Sequence, residues 1–353
     1  MLRSNLKARM KNFWQDLPKP ILVLAPLANV TDAAFRRIIA KYSKPAGPAV
    51  FYTEFVSADG LVLANVEGKT KLMRDLVFSE AERPIVAQFF TSNPEHMEKA
   101  AALAQELGFD GVDINMGCPD RSVEKQGGGA ALIKTPSVAR ELIRAAKRGA
   151  PNLPVSVKTR LGYNKDTLEE WLPELLAEAP AALVLHARTR KEMSAVPARW
   201  ERVKRAVEIR NELKSKTLIL GNGDLIDIED AKRKVEESGA DGAMLGRAVF
   251  GRPWLFAAEK IASDSPSTED GVGVRLRQFS PPLEVRLRIA VEHAKLFEEL
   301  LGDIKNFAIM KKHFKAYAEG FPGAKELRVQ LMETKNAAEI EHIIEEFLDT
   351  HTI

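Results

Sequence analysis

The run Asp113-Ile114-Asn115-Met116-Gly117-Cys118-Pro119 carries the chain's one cysteine past the end of a strand-like segment, just ahead of the glycine-rich stretch Gln126 to Ala130. A lone thiol can form no internal disulfide and no metal cluster, so its place at an element boundary beside a loop points toward chemistry. The ordinary thiol pKa of about 8.5 keeps such a group mainly protonated near neutral pH, able to give a proton to carbon. A thiolate nucleophile would need an activating base instead, for which Arg160 and His186 are the candidates. The bland alternative is a small buried hydrophobe. The polar residues that end the neighbouring strand-like runs weigh against it.

Those residues are Gln88, Asp113 with Asn115, Lys158 with Arg160, His186 followed by Arg188, Gly221-Asn222-Gly223-Asp224, and Gly246-Arg247. Side chains alternate along a strand, so Lys158 and Arg160 share one side, as do Asp113 and Asn115. Several polar groups converging on one rim would be costly without a ligand. A cation, an imidazole and an amide facing one another suit a polar heterocycle that gains negative charge during reaction, and a flavin is such a ring. Lys158 would stabilise the anion, Gln88 would bond the pyrimidine edge, and His186 would meet the ring or a phosphate. The alternatives are a satisfied core histidine for His186 and a rim salt bridge to Asp113 for Lys158. Gly221, Gly223 and Gly246 allow close backbone approach to an anion, with Arg247 adding charge.

The elements that must position these groups follow from hydrophobic period. Short runs rich in branched residues alternate with amphipathic helical stretches from Ile21 to Arg247, which predicts strand-helix units on a parallel sheet. The strands are expected at Ile21–Pro26, Val50–Phe55, Ile85–Phe90, Gly111–Met116, Val155–Arg160, Ala182–Ala187, Thr217–Asn222 and Gly242–Arg247. Eight such units suit a (β/α)₈ TIM barrel, whose active site lies at the C-terminal strand ends and whose phosphate site commonly follows strands seven and eight. The texture then changes to a Ser-, Asp-, Gly- and Pro-rich stretch. Beyond it Leu283–Leu301, Ile304–Glu319, Ala324–Glu333 and Ala337–Asp349 read as a smaller all-α bundle. The expected division is a barrel domain over 1–262, a linker over 263–280 and a helical domain over 281–353.

At 353 residues, 45% apolar and 29% charged, the composition is that of an ordinary globular protein. The net charge of +3 is too small to announce a nucleic-acid binder, but basic residues cluster at Arg3, Lys7, Arg9 and Lys11 and again at Lys305, Lys311, Lys312, His313 and Lys315. No run approaches the roughly 18 consecutive apolar residues of a membrane span, and the first twenty residues lack the uninterrupted apolar segment of a secretion signal. A cytoplasmic protein is expected, with no membrane or metal partner and with a monomeric state.

The ordered set resembles the tRNA-dihydrouridine synthases from about Ile21 to Arg328. It is carried by Ala25-Pro26-Leu27, Thr31-Asp32, Phe35-Arg36, Thr53-Glu54, Gln88, the Asp113–Pro119 segment, Val157-Lys158-Thr159-Arg160, His186-Ala187-Arg188-Thr189-Arg190, Gly221–Asp224 and Gly246-Arg247. Lys311-Lys312-His313 and Tyr317, ahead of Gly320-Phe321-Pro322-Gly323, are similar to that family's RNA-facing helical domain. The resemblance implies a flavoprotein oxidoreductase acting on a CH–CH bond, with FMN held by Pro26, Leu27, Ala28, Gln88, Lys158, His186, Asn222, Gly223, Asp224, Gly246 and Arg247. It implies NADPH as reductant, tRNA as substrate and Cys118 as the donor of a proton to carbon 5 of a uridine. Asn115, Arg160 and Arg188 would lie near the uracil, and Lys311, Lys312 and Lys315 would meet RNA phosphates. A flavin barrel that reduces a free pyrimidine or enone shares every flavin residue and is the competing reading.

Overall fold

The computed structural model describes residues 12–43, 48–257 and 281–350. The basic run at Arg3, Lys7, Arg9 and Lys11 and the expected linker over 263–280 lie outside the described residues.

The branched apolar runs form eight parallel strands among the described residues: β1 (Ile21–Leu24), β2 (Phe51–Ser57), β3 (Ile85–Phe90), β4 (Gly111–Met116), β5 (Val155–Arg160), β6 (Ala182–His186), β7 (Leu218–Asn222) and β8 (Gly242–Leu245). Each pairs with its sequence neighbour from β2 to β8, and β8 pairs with β1. The ring closes where Val23 bridges Val50 and Leu24 N donates to Val50 O over 3.0 Å. This is a (β/α)₈ barrel, followed in the chain by a C-terminal helical region. Nearly every residue of β3, β4 and β6 is buried, the pattern of strands covered on both faces.

Helices α1 (Ala33–Ser43), α2 (Ala58–Leu63), α3 (Val66–Asp75), α4 (Pro94–Glu106), α5 (Arg121–Lys125), α6 (Pro136–Gly149), α7 (Leu168–Leu176), α8 (Trp200–Glu212) and α9 (Ile228–Ser238) fill the connections. Local signals start several of them. Asn93 accepts from Glu95 N ahead of Pro94 in α4, and Asp227 accepts from Asp230 N at the head of α9. The α2, α3 and α5 segments lie outside the sequence expectation: α2 and α5 are too short to show a helical period, and α3 buries no side chain that would mark an inner face. Their caps are the readable trace: Ser57 accepts from Gly60 N, Asn65 from Gly68 N and Asp120 from Ser122 N.

Two compact units account for the chain. One takes the described residues of Met1–Pro26, Ala49–Val77 and Arg83–Gly246, and so contains the strands. The other takes those of Leu27–Pro48, Phe78–Glu82 and Arg247–Ile353. Within the second unit α1 packs along the Leu283–Leu301 helix, which also meets Ala337–Thr350. Arg36 and Glu82, both fully buried, join through Nε and Oε2 at 2.7 Å, and Arg36 Nη1 also donates to Thr31 O. The expected helix over Ile304–Glu319 is broken into a 3₁₀ turn, Phe307–Met310, and a helix, Lys311–Tyr317. Asn306 restarts the chain there by accepting from Ala308 N.

Candidate active site

Strand register brings the polar residues into tiers. Gln88 pairs with Asp113 and Asp113 with Ser156, while Asn115 pairs with Lys158, Arg160 with His186, and His186 with Asn222. The lower tier is sealed from water. Ser156 Oγ donates to Asp113 Oδ1 over 2.6 Å, Gln88 Nε2 donates to Asp113 Oδ2 over 2.7 Å, and Tyr52 Oη lies 3.2 Å from Ser156 Oγ. Burial pushes the Asp113 carboxyl up to about 7, against the pull of the bonds from Ser156 and Gln88. Ser156 and Tyr52 were absent from the sequence expectation. Ser156 stands two residues before Lys158 on one strand face, so alternation alone could have pointed to it.

Lys158 does not form the salt bridge with Asp113 that stood as its bland alternative. Its Nζ donates to Asn222 Oδ1 over 3.2 Å, and Asn222 Nδ2 donates to Met244 O. Burial, with the Arg160 charge behind it, lowers the Lys158 ammonium to about 8. Arg160 is likewise lowered to about 10 by burial. Its Nε donates to Gly117 O over 2.7 Å and its Nη1 to Thr189 O, which leaves the N–H groups of Nη2 for a ligand.

The Cys118 loop is held from two sides. Asn115 Oδ1 accepts from Gly117 N at 3.1 Å and Cys118 N at 2.9 Å, and Cys118 O accepts from Ala130 N at 2.9 Å. Burial raises the thiol pKa, opposed by the Asp120 backbone N–H and by the positive charges of Arg160 and Lys158. The glycine-rich segment packs as a 3₁₀ turn over Gly129–Lys134 with Ala130 and Leu132 buried. At Gly129, with φ of 59°, a Cβ would stand 2.6 Å from Cys118 O, so only glycine lets the turn close on the cysteine. Glu124 of α5 also pairs with Arg190 of the segment after β6.

His186 is held by Arg188, whose Nη1 lies 3.2 Å from His186 Nε2. Arg188 Nε donates to Val196 O and its Nη2 to Asp224 Oδ2, and Ala198 N donates to the same carboxylate oxygen. Arg188 was expected beside the uracil. It is instead wedged, 2% exposed, beneath the segment that follows β6, where its donors stitch that segment to the β7 turn. Asp224 is correspondingly occupied by Arg188 and Ala198. The missing Cβ of Gly221 serves the core: one built there would stand 2.3 Å from the Trp200 ring, whose Nε1 donates to Gly223 O. Gly246 and Arg247 follow β8 directly, and a 3₁₀ turn spans Arg247–Val249. Pro26, buried, ends the β1 segment, and Leu27 and Ala28 continue it in sequence.

In the second unit Lys312 and Lys315 are exposed and Lys311 is half-buried. His313 and Tyr317, which share in the resemblance to an RNA-facing helical domain, are fully buried. Helical period explains the split, since His313, Phe314 and Tyr317 lie on the inner face and Lys312 and Lys315 on the outer one. The His313 ring lies 4.7 Å from Phe35 and 4.6 Å from His293, and Tyr317 Oη lies 3.4 Å from His293 Nδ1. Among the described residues no helix is long and apolar enough to cross a membrane, and no group of three or more His, Cys, Asp or Glu side chains is arranged to hold a metal ion.

A dihydrouridine synthase family model matches residues 23–352. The probable tRNA-dihydrouridine synthase 2 of Bacillus subtilis (strain 168) is 40% identical over 338 residues, covering 96% of this chain and 97% of that protein. The probable tRNA-dihydrouridine synthase of Staphylococcus aureus (strain COL) is 40% identical over 339 residues, covering 96% of each. Among solved structures, histamine dehydrogenase from Rhizobium sp. 4-9 aligns with a TM-score of 0.50 at 12% identity, over 78% of this chain and 49% of that one. A 2-naphthoyl-CoA reductase complex aligns with a TM-score of 0.50 at 12% identity, over 69% and 50%. At such identity the likeness speaks to the fold alone, and this chain spans about half the length of either structure. Matched along nearly its whole length by the family model and by both bacterial proteins, the chain belongs to the dihydrouridine synthase family.

Proposed function

We propose that the protein reduces uridine to 5,6-dihydrouridine in tRNA with NADPH as reductant, FMN as bound cofactor and Cys118 as proton donor. The observation that carries this reading is the placement of Cys118 at the end of β4, where Asn115 Oδ1 holds its N–H and Arg160 Nε holds the carbonyl of the preceding Gly117.

The side chains fit a flavin. Lys158 is a partly desolvated cation that donates to a neutral amide, as a ring that accumulates negative charge requires. Gln88 forms the floor beneath the ring, buried and bonded to Asp113 and Asn115. We assign FMN to Pro26, Gln88, Lys158, His186, Asn222, Gly223 and Gly246, and extend the assignment to Leu27, Ala28 and Arg247 from their places in the sequence. Asp224 contributes by fixing Arg188. When bound, FMN supplies two-electron transfer between NADPH and a carbon–carbon double bond.

Cys118 delivers a proton to the uracil carbon left electron-rich, and a thiol with a raised pKa holds that proton until it is needed. Arg160, through Nη2, and Asn115, through its remaining Nδ2–H, are the groups available to orient the uracil edge. Lys311, Lys312 and Lys315 supply phosphate contacts, and the target base must leave its stack to enter a barrel mouth.

The test is to incubate the purified yellow protein with unmodified tRNA and NADPH, then search nuclease digests for uridines heavier by two hydrogens. Product on tRNA and none on free uridine is the expected result. Turnover of free uridine or an enone with untouched tRNA would favour a small-molecule reductase.

A further inference from the structure

We propose that Asp113 is a positioning residue for Cys118, acting across the barrel interior through the amides of Gln88 and Asn115. The inference rests on the reading of Cys118 as the reacting thiol, though its test does not require turnover.

Each link permits one orientation. Gln88 turns its nitrogen toward Asp113 Oδ2, at 2.7 Å, the orientation that the Gly117 and Cys118 N–H groups at the far end of the relay require. That turn directs Gln88 Oε1 toward Asn115, whose Nδ2 donates to it over 3.0 Å. With its nitrogen so committed, Asn115 presents Oδ1 to the backbone N–H groups of Gly117 and Cys118. Read from the other end the chain has the same polarity, because two backbone N–H groups converge on a single atom that must be oxygen. Ser156 Oγ fixes the second carboxylate oxygen at 2.6 Å. Gln88 and Asp113 are fully buried, so water cannot substitute for a lost partner. Register builds the relay, since Gln88 faces Asp113 across β3 and β4 and Asn115 stands two residues further along β4.

Cys118 is the single cysteine in the chain, so a thiol reagent reports on this site alone. The experiment compares iodoacetamide alkylation rates of FMN-saturated wild type, Asp113→Asn, Asp113→Leu and Gln88→Met, with flavin content checked in each. Asp113→Asn can still offer an oxygen to Gln88 and should alkylate within about twofold of wild type. Asp113→Leu and Gln88→Met sever the relay and should alkylate about tenfold faster, with kcat for tRNA reduction falling and KM for tRNA unchanged. Should Asp113→Leu fail to fold, Gln88→Met alone decides. An alkylation rate within twofold of wild type in the severed variant would overturn the proposal. A merely structural Asp113 would lower the thermal midpoint without changing thiol reactivity. If Cys118 is not the proton donor, Cys118→Ala will still form product whatever these rates are.

Discussion

Arg188 Nη1 and His186 Nε2 lie 3.2 Å apart, and a guanidinium can only donate. His186 therefore accepts at Nε2 and carries its ring proton on Nδ1, a tautomer imposed by a residue that is itself fixed by Asp224 and Val196. Replacing Arg188 with Met should remove the donor that sets this tautomer and loosen the segment after β6. Losing one charge-assisted hydrogen bond of about 1.5 kcal/mol corresponds to roughly tenfold weaker FMN binding. A fluorescence titration of apoprotein with FMN measures it, and unchanged affinity would remove His186 from the flavin site.

Cys118→Ala should retain FMN and NADPH oxidation yet form dihydrouridine about 10²–10⁴-fold more slowly, the range for loss of a positioned general acid. Product yield by mass spectrometry checks it. An undiminished rate would end the proton-donor assignment.

For Lys158 the sign of a pH dependence follows from its lowered pKa of about 8. The cation is present below that value and lost above it, and binding an electron-rich ring favours the charged form. FMN affinity should fall as pH rises through about 8, and Lys158→Met should bind weakly with a flat profile over that window. Parallel pH profiles for the two proteins would contradict the placement of Lys158 beside the ring.

Neutralising Lys311, Lys312 and Lys315 together should weaken tRNA binding and lower the slope of log affinity against log salt by up to about 2. The outward-facing pair, Lys312 and Lys315, should account for most of the change. A filter-binding series in increasing salt reads the slope, and an unaltered slope would move the RNA surface elsewhere.

The buried imidazoles of the second unit predict a stability profile. Burial, then the Lys312 charge, drives His313 down to about 3, and burial with His313 beside it drives His293 well below its ordinary range. Between about pH 6.5 and pH 3 the unfolded chain binds protons that the folded one refuses, so stability falls as pH falls, by up to ~1.4 kcal/mol per pH unit for each histidine. His313→Phe, which keeps an aromatic ring against Phe35, should lose about 2 kcal/mol less than wild type between pH 7 and pH 5. Urea unfolding at both pH values tests this, and equal losses would show that His313 does not govern the slope.

The sequence by itself determined the barrel, because a strand buried on both faces must be written in branched apolar residues and each of the eight runs ended within two residues of an observed strand end. It also determined which side chains share a strand face, since alternation is a local property: Lys158 with Arg160, Asp113 with Asn115. Three helices escaped it, because α2 and α5 are too brief to show a period and α3 buries no side chain that would mark a face, so that only their caps are legible. Only the tertiary structure decided what each polar group bonds to. Arg188 and Arg160 are the same residue type at neighbouring strand ends, yet one is spent on His186, Asp224 and Val196 while the other keeps donors for a ligand. His313 sits in a lysine-rich stretch yet turns into an aromatic core. Hydrogen-bond partners come from strands and loops distant in sequence, so their assignment is a property of register and closure, which no local stretch of residues contains.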